Sequence, residues 1–287
     1  PWIGGSSFHV TAGKAPLTWG DGLFFNAGDV AFSTTLTGTD LTGAVERDNA
    51  AWLLRSFFPA GSFSFFEPVV ILPLPERGAE SGEESYPAID ELSAGARVQG
   101  RIRGMEVESG YFYDGAKQLH RPYAGAQGHL GVDLYGAISL DLPTELGSFS
   151  AVTREQAEEY ARDSLEVTAG ALYTYGFPGG RQLSARLEGV ARPNGDWNDA
   201  GESNDAPGTE LYSDLVWSPS PNFSIYARAL VSPIDLSTLV TPGVSWNLAN
   251  GLSLELFGAL QLGEEGDTYG YDRAAGAATG ATVRYVY

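Results

Sequence analysis

The sequence predicts an all-β protein that forms a closed antiparallel transmembrane β-barrel of roughly 14 strands, within bounds of about 12 to 16. Apolar and polar residues alternate through segments of about 10 residues, the length that a tilted strand needs to cross a bilayer. The connections between these segments sort into short and long ones, as in barrels with short periplasmic turns and long extracellular loops. The chain also contains 37 Gly, 14 Tyr, 14 Phe and 6 Trp, a composition typical of strands joined by tight turns.

The hydropathy of the chain argues against a helical membrane protein. The mean hydropathy of the 287-residue chain is -0.12, and its apolar runs are short, as at residues 69–72. A membrane-spanning helix needs ~18 apolar residues and is excluded, whereas alternating strands average to neutral hydropathy. We expect a single barrel domain over residues 1–287. Because the chain begins at Pro1, we expect that a signal peptide or a further part of the protein has been removed, and both options stay open.

Composition and motifs argue against several functional classes. The chain has no cysteine, which excludes disulfides, thiolate metal sites and cysteine nucleophiles. A net charge of -19 disfavours binding to nucleic acid. Neither HExxH nor GxSxG occurs, and no nucleophile, base and orienting group can be named together. The oxygen-rich run 194–205 lacks the spacing of an EF-hand loop. We therefore predict no enzyme activity, no catalytic residue, no metal site and no cofactor.

The N-terminal half predicts seven strands and one helix. The strands lie near residues 6–16, 50–58, 62–73, 92–103, 105–114, 124–135 and 137–149. Tight turns at 59–61 and 103–104 join two pairs of them. In the loop that follows, residues 153–156 have the pattern of a capping box and residues 157–162 suit a helical turn.

The C-terminal half predicts seven more strands, beginning near Leu165 and ending at Tyr287. The clearest is Leu252–Leu262, where every even position is Leu or Gly and the odd positions are Ser, Glu, Phe, Ala and Gln. Short connections at 177–182, 218–222 and 249–251 contrast with long ones at 143–163, 193–209 and 263–273, apart from a shorter one near 232–237. An even strand number places both chain ends on one side of the barrel.

Taken together, the polar ranks of the strands carry charges of both signs. In a membrane barrel the polar rank faces the bore, and the apolar rank, with Trp and Tyr near the strand ends, faces lipid. The predicted pore-lining residues are Arg97, Arg101, Arg103, Glu106, Glu108, Arg186, Glu188, Asp214, Arg228, Glu255 and Arg284. Excess acidic residues lie in the connections 74–91, 194–207 and 264–273. They could form a negative rim that gathers cations, or they could only keep the loops solvated.

The segment from Trp19 to Asp29 predicts a loop folded into the barrel mouth. Glycines at 20, 22 and 28 permit tight backbone turns, and Asn and Asp side chains can hydrogen-bond their own backbone. Two adjacent phenylalanines within a connection need other groups to cover them. The predicted constriction residues are Trp19, Asp21, Phe24, Phe25, Asn26 and Asp29.

The same segment carries a family resemblance. Lys14, the run Trp19-Gly-Asp-Gly22 and the run Asn26-x-Gly-Asp29 precede Arg55 in a strand and a strand that ends at 69–73. This arrangement resembles outer-membrane porin-like barrels of Gram-negative and spirochaete-type bacteria, which often show WG-x-G…NP-x-D after an early strand. The present chain has Ala27 where Pro is usual. The resemblance implies passage of small solutes through an outer membrane, in contact with the lipid bilayer and lipopolysaccharide or an equivalent outer-leaflet lipid.

Three alternatives stay open at this point. A salt-bridged barrel with a filled lumen could act as a scaffold, an adhesin or the partner of another envelope protein, with or without oligomerisation. A secreted soluble β-protein could bind carbohydrate through exposed Trp and Tyr. An outer-membrane enzyme is the third.

Overall fold

The computed structural model describes residues 8–32, 50–61, 63–73, 76–77, 84–85, 91–144, 154–198, 206–249, 251–271 and 276–285. Among these residues the fold is all-β with one short helix, α1 (Arg154–Ser164). The strands are β1 (His9–Pro16), β2 (Ala50–Pro59), β3 (Phe65–Ile71), β4 (Glu76–Arg77), β5 (Glu84–Ser85), β6 (Ser93–Ile102), β7 (Met105–Asp114), β8 (Leu119–His129), β9 (Asp133–Ser139), β10 (Leu142–Pro143), β11 (Glu166–Phe177), β12 (Arg181–Ala191), β13 (Thr209–Ser220), β14 (Phe223–Val231), β15 (Thr238–Ala249), β16 (Leu252–Leu262) and β17 (Ala277–Tyr285).

One antiparallel sheet of 15 strands dominates the structure. Its hydrogen-bonded path follows chain order as β1-β2-β3-β6-β7-β8-β9-β11-β12-β13-β14-β15-β16-β17, and β10 pairs beside this path with β8. β4 and β5 form a separate two-stranded sheet. The predicted all-β antiparallel architecture is therefore confirmed, and the number of strands falls within the predicted range. No helix among the described residues has the length and apolar character that crossing a membrane requires.

Most strand boundaries agree with the sequence pattern, but those of two neighbouring strands, β8 and β9, do not. The β6–β7 turn is Arg103-Gly104, with φ of 53° and 87° at its two residues, the geometry that a two-residue hairpin favours. α1 also forms where the capping pattern predicts it. The predicted strands 124–135 and 137–149 are wrong, because the chain turns at 130–132, where Gly131 has a φ of 82°. The outward rank of β8 contains Pro and small residues, so large apolar side chains do not mark its ends.

The two faces of the sheet differ in chemistry. We call the face that contacts the segment Leu17–Phe32 the inner face and the opposite one the outer face. Side chains paired directly across the ladder point to the same face, so the register of each strand pair assigns its residues to one face or the other. Trp246 and Leu256 lie on the outer face with 50% and 45% of their surface exposed, whereas the Arg228 side chain on the inner face is 13% exposed.

The outer face is an almost continuous apolar surface. Among the described residues of the 14-strand path, only two charged side chains lie on it, Lys14 near the end of β1 and Arg181 at the start of β12. Half-exposed large apolar side chains cover strands all along the path; they include Trp52, Leu54, Val98, Tyr111, Ile138, Tyr173, Leu187, Leu215, Ile225, Leu260 and Val283. A surface of this kind is far larger than the apolar patches of a soluble monomer.

The inner face curls around the segment Leu17–Phe32, which we call the inner segment. One buried cluster joins the segment to Leu53 of β2, Val69 of β3, Phe112 of β7 and Tyr123 of β8. A second cluster joins it to Val190, Tyr212, Leu230 and Leu239 of the four strands β12 to β15, with Ala259 of β16 packed alongside. Strands from both ends of the path can reach one short segment only if the sheet is strongly rolled.

Candidate functional site

The inner segment forms a loop whose two ends touch. A Cβ atom built on Gly28 would lie 2.8 Å from the Cα atom of Gly20. With a carbon–carbon bond of about 1.5 Å, the two Cα atoms are then at most ~4.3 Å apart, close to the spacing of consecutive residues. Asn26 holds this closure, because its side chain donates to the Trp19 carbonyl at 2.9 Å and accepts from the Gly28 amide at 3.1 Å. The glycines are therefore required by the close approach of the backbone.

The inner segment extends from one wall to the other. On the first wall, Trp19 is fully buried, stacks on Tyr123 at 5.8 Å and meets the edge of Phe112 at 6.0 Å. Its indole N–H donates to the Glu67 carboxylate at 3.1 Å. On the second wall, Phe24 stacks on Tyr212 with ring centroids 4.6 Å apart. The second buried cluster covers both Phe24 and Phe25, the two adjacent phenylalanines that the sequence predicts to need cover.

Glu188 of β12 fixes the tip of the loop. Its side chain is 1% exposed and accepts hydrogen bonds from three successive backbone amides, those of Leu23 at 2.9 Å, Phe24 at 2.7 Å and Phe25 at 2.9 Å. Tyr135 donates its hydroxyl to the same carboxylate at 2.5 Å, and Arg186 donates at 3.2 Å. Successive amides around an oxygen acceptor form an anion-binding nest, and Glu188 supplies the anion from the wall.

Further hydrogen bonds tie the remainder of the segment to the wall. The amide of Ala27 donates to the Thr168 hydroxyl of β11 at 3.3 Å. The guanidinium of Arg121 in β8 donates to the carbonyl of Val30 at 2.9 Å and holds Asp141 through two bonds of 2.8 and 2.6 Å. The inner segment is thus docked by specific polar contacts as well as by apolar packing.

The structure places the predicted pore-lining residues as follows. Arg103 lies in the two-residue β6–β7 turn with a φ of 53°, beyond the last ladder pair Ile102–Met105, so the register does not place it on the inner face. The others lie on the inner face by ladder register; they are Arg97, Arg101, Glu106, Glu108, Arg186, Glu188, Asp214, Arg228, Glu255 and Arg284. Of the predicted constriction residues, Trp19, Phe24, Phe25, Asn26 and Asp29 are buried in the inner segment, whereas Asp21 is exposed.

Opposite charges on the inner face meet across neighbouring strands. Arg97 contacts Glu67 at 3.4 Å and Glu108 at 3.2 Å. Arg101 contacts Glu106 at 2.6 Å, and Arg228 contacts Asp214 at 3.6 Å. The Tyr226 hydroxyl donates to Glu255 at 2.5 Å. Charges buried on the wall are therefore paired or hydrogen-bonded, as burial requires.

A repeated pairing of an aromatic ring with a glycine shapes the inner wall. Tyr123, Tyr135 and Tyr226 each lie directly across the ladder from a glycine on the neighbouring strand. A Cβ atom on any of these three glycines would come within 2.5 Å of the ring. Phe112 and Phe257 repeat the arrangement over Gly95 and Gly280. Each ring occupies the space that a side chain on the paired glycine would fill, a role for these glycines that sequence reasoning missed.

Asp21 faces water within the rolled sheet. Its side chain is exposed, whereas Trp19 before it and Gly22 after it are buried. Burial nevertheless raises the pKa of the Asp21 carboxyl, the charge of Glu106 raises it further, and the guanidinium of Arg97 lowers it. Asp21 also interacts electrostatically with Glu108 and Tyr135. The Asp21 carboxyl is thus in contact with water and partly desolvated by the surrounding protein.

A cavity of about 440 Å³ lies on the other side of the inner segment, at the edge of the sheet where the long connections emerge. Its lining includes Asn26, Asp29, Arg121, Asp141, Glu166 and Arg192. Arg192 binds Glu166 at 3.0 Å and Glu210 at 2.9 Å. The acidic runs that the sequence places at this edge lie partly outside the described residues, at 78–83, 86–90, 199–205 and 272–275.

The last long connection also folds inward at this edge. Tyr269 is 6% exposed, packs in the cluster around Phe24 and donates its hydroxyl to Glu210. Burial alone would raise the pKa of Asp235, but hydrogen bonds from Thr268 and Ser237 hold it well below the ordinary range. This network joins the connection 263–271 to the connection 232–237.

No cluster of three or more histidine, aspartate or glutamate side chains within the described part of the chain is arranged to hold a metal ion. No family model matches this sequence, and no curated protein matches it significantly.

Proposed function

We propose that this chain is an outer-membrane β-barrel that passes small polar solutes or ions, with the inner segment as its constriction. The observation that carries the proposal is the contrast between the faces of the sheet. The outer face is apolar over every part of the strand path, whereas nearly all strand charges lie inside. This distribution is the one that lipid outside and water inside select. A soluble sandwich has the opposite arrangement, which argues against a secreted carbohydrate binder.

Closure of the sheet is part of the proposal. The path begins at β1 and ends at β17, and the inner segment contacts strands near both ends. An open edge within lipid would leave backbone groups unpaired, at a cost of several kcal/mol each. The short turns would then face the periplasm. The long connections would face lipopolysaccharide and the exterior.

A sealed barrel is the second candidate, and the docking of the inner segment favours it. Five hydrogen-bond donors bind the Glu188 carboxylate. Two apolar clusters on opposite walls pack against the segment. A barrel whose lumen stays filled would serve as a scaffold, an adhesin or an envelope partner.

Deletion of residues 21–27 separates the two candidates. Because Gly20 and Gly28 already lie at almost the spacing of bonded residues, the deletion joins them without stretching the chain. It removes the tip and leaves Trp19 and Val30 at their anchors. Both proteins are folded in detergent, checked by a heat-dependent gel shift and reconstituted into liposomes for solute-swelling and planar-bilayer measurements.

The channel proposal predicts that the wild type conducts and that the deletion raises both conductance and the size limit for neutral sugars. A silent wild type with a conducting deletion variant supports the sealed barrel. If neither protein conducts, or if the wild type stays soluble without detergent, the channel proposal is wrong.

A further inference from the structure

We propose that the path beside the inner segment prefers cations to anions and that Asp21 sets this preference. The inference rests on the proposed channel function and names the class of solute that such a channel favours. It starts from one contrast within the inner segment, whose charged residues are Asp21 and Asp29. Asp29 is 1% exposed, whereas Asp21 is open to water. Asp21 is therefore the charge that a solute meets at the constriction.

The wall beside Asp21 does not compensate its charge. Arg97 is already bound to Glu67 and Glu108, and Arg101 is bound to Glu106. These contacts place three carboxylates against two guanidiniums on β3, β6 and β7. Asp21 adds a further negative charge above them. Low-dielectric walls concentrate such a field within a narrow aqueous space.

The remainder of the path differs between its two sides. On the opposite wall the charges balance, because three guanidiniums and three carboxylates lie there, those of Arg186, Arg228, Arg284, Glu188, Asp214 and Glu255. The cavity above the inner segment is lined by four carboxylates, those of Asp29, Asp141, Asp163 and Glu166, and by two guanidiniums. A cation therefore meets a negative region in this cavity as well as at Asp21.

The test measures reversal potentials across planar bilayers that hold a tenfold gradient of KCl. We expect the wild type to prefer K⁺ and Asp21→Asn to lower the K⁺-to-Cl⁻ permeability ratio by at least about threefold, since one charge within about 5 Å of the path acts oppositely on the two ions. Asp21→Glu keeps the charge and should keep the ratio. Glu159→Gln removes one charge from the exposed surface of α1 and should change nothing.

The outcomes separate the two proposals. A conducting wild type that prefers Cl⁻, or an Asp21→Asn variant with an unchanged ratio, overturns the selectivity and leaves the channel in place. Bilayers that stay silent with folded wild type overturn the channel and the selectivity together. A fall in the ratio for Glu159→Gln equal to that for Asp21→Asn would assign the preference to net surface charge and overturn the role of Asp21.

Discussion

Replacement of Glu188 by Gln should loosen the inner segment from the wall. One carboxylate oxygen accepts from the amides of Phe24 and Phe25, and the other accepts from the Leu23 amide and two side chains. Gln keeps one acceptor oxygen, so either orientation loses at least two of these bonds. A hydrogen bond to a charged acceptor contributes about 1.5–3 kcal/mol. At least one lost bond is to the segment, and the bonds that remain lose the charge of their acceptor. The docked segment should therefore lose about 3 kcal/mol, roughly two orders of magnitude in its opening equilibrium.

Hydrogen–deuterium exchange of the folded protein, read in a proteolytic peptide that covers residues 17–32, measures this opening directly, because local opening governs exchange of buried amides. We expect faster exchange in Glu188→Gln by about a hundredfold. Glu255→Gln is the matched control, since Glu255 is also a carboxylate on the inner wall, but its hydrogen-bond donor is Tyr226 of the wall rather than the inner segment. Equal exchange in the two variants would refute the assignment of Glu188 as the anchor of the loop.

Three further predictions test the membrane surface, the backbone closure and the charge at the constriction. Leu256 lies in the middle of an outward rank, so Leu256→Arg should lower the free energy of unfolding in a bilayer by about 2–4 kcal/mol, whereas Leu262→Arg at the end of the same strand should lower it by about 0–1 kcal/mol. Equal effects of the two substitutions on unfolding in lipid would contradict the membrane assignment. Gly28→Ala brings a Cβ within 2.8 Å of backbone and should destabilise by about 1–3 kcal/mol, whereas Gly176→Ala meets nothing within 4 Å; thermal unfolding compares the two variants, and equal melting temperatures would argue against the backbone closure. Because burial and then Glu106 raise the pKa of Asp21, acidification should weaken cation preference at a pH above the ordinary aspartate range; reversal potentials at stepped pH should show no such change in Asp21→Asn.

Strand positions could be predicted because each strand carries its own signal. The alternation from Leu252 to Leu262 is complete within one strand, and the turn that begins it is local. The register confirms which residues share a face, since Leu256 lies opposite Val244 and Ala281. The same reasoning failed at β8 and β9, where Pro122, Ala124 and Gly128 occupy the outward rank. These residues contribute little apolar contrast, so the pattern does not locate the turn at 130–132.

The partners of the inner segment could not be predicted because they are distant in the chain. Glu188 is separated by more than 160 residues from the amides that it binds. In the sequence it is one of several acidic residues on inward ranks, equivalent in pattern to Glu106. Only the rolled sheet brings β12 to the tip of a loop that follows β1. Glu67 of β3, which accepts the indole hydrogen bond of Trp19, could not be predicted as its partner for the same reason.

The glycine pattern of the inner segment nevertheless records its local geometry. A Cβ on Gly22 would lie 2.0 Å from the carbonyl oxygen of Phe25, and Gly20 adopts a φ of 73°, a region that glycine enters at little cost. Asn26 then closes the ring by bonding both of its ends. The sequence thus specifies a compact loop that can be docked as a unit, and the wall specifies where it docks. If the constriction is formed in this way, its width depends on the walls that hold the loop, and substitutions at Glu188 should alter conductance as strongly as changes within the loop itself.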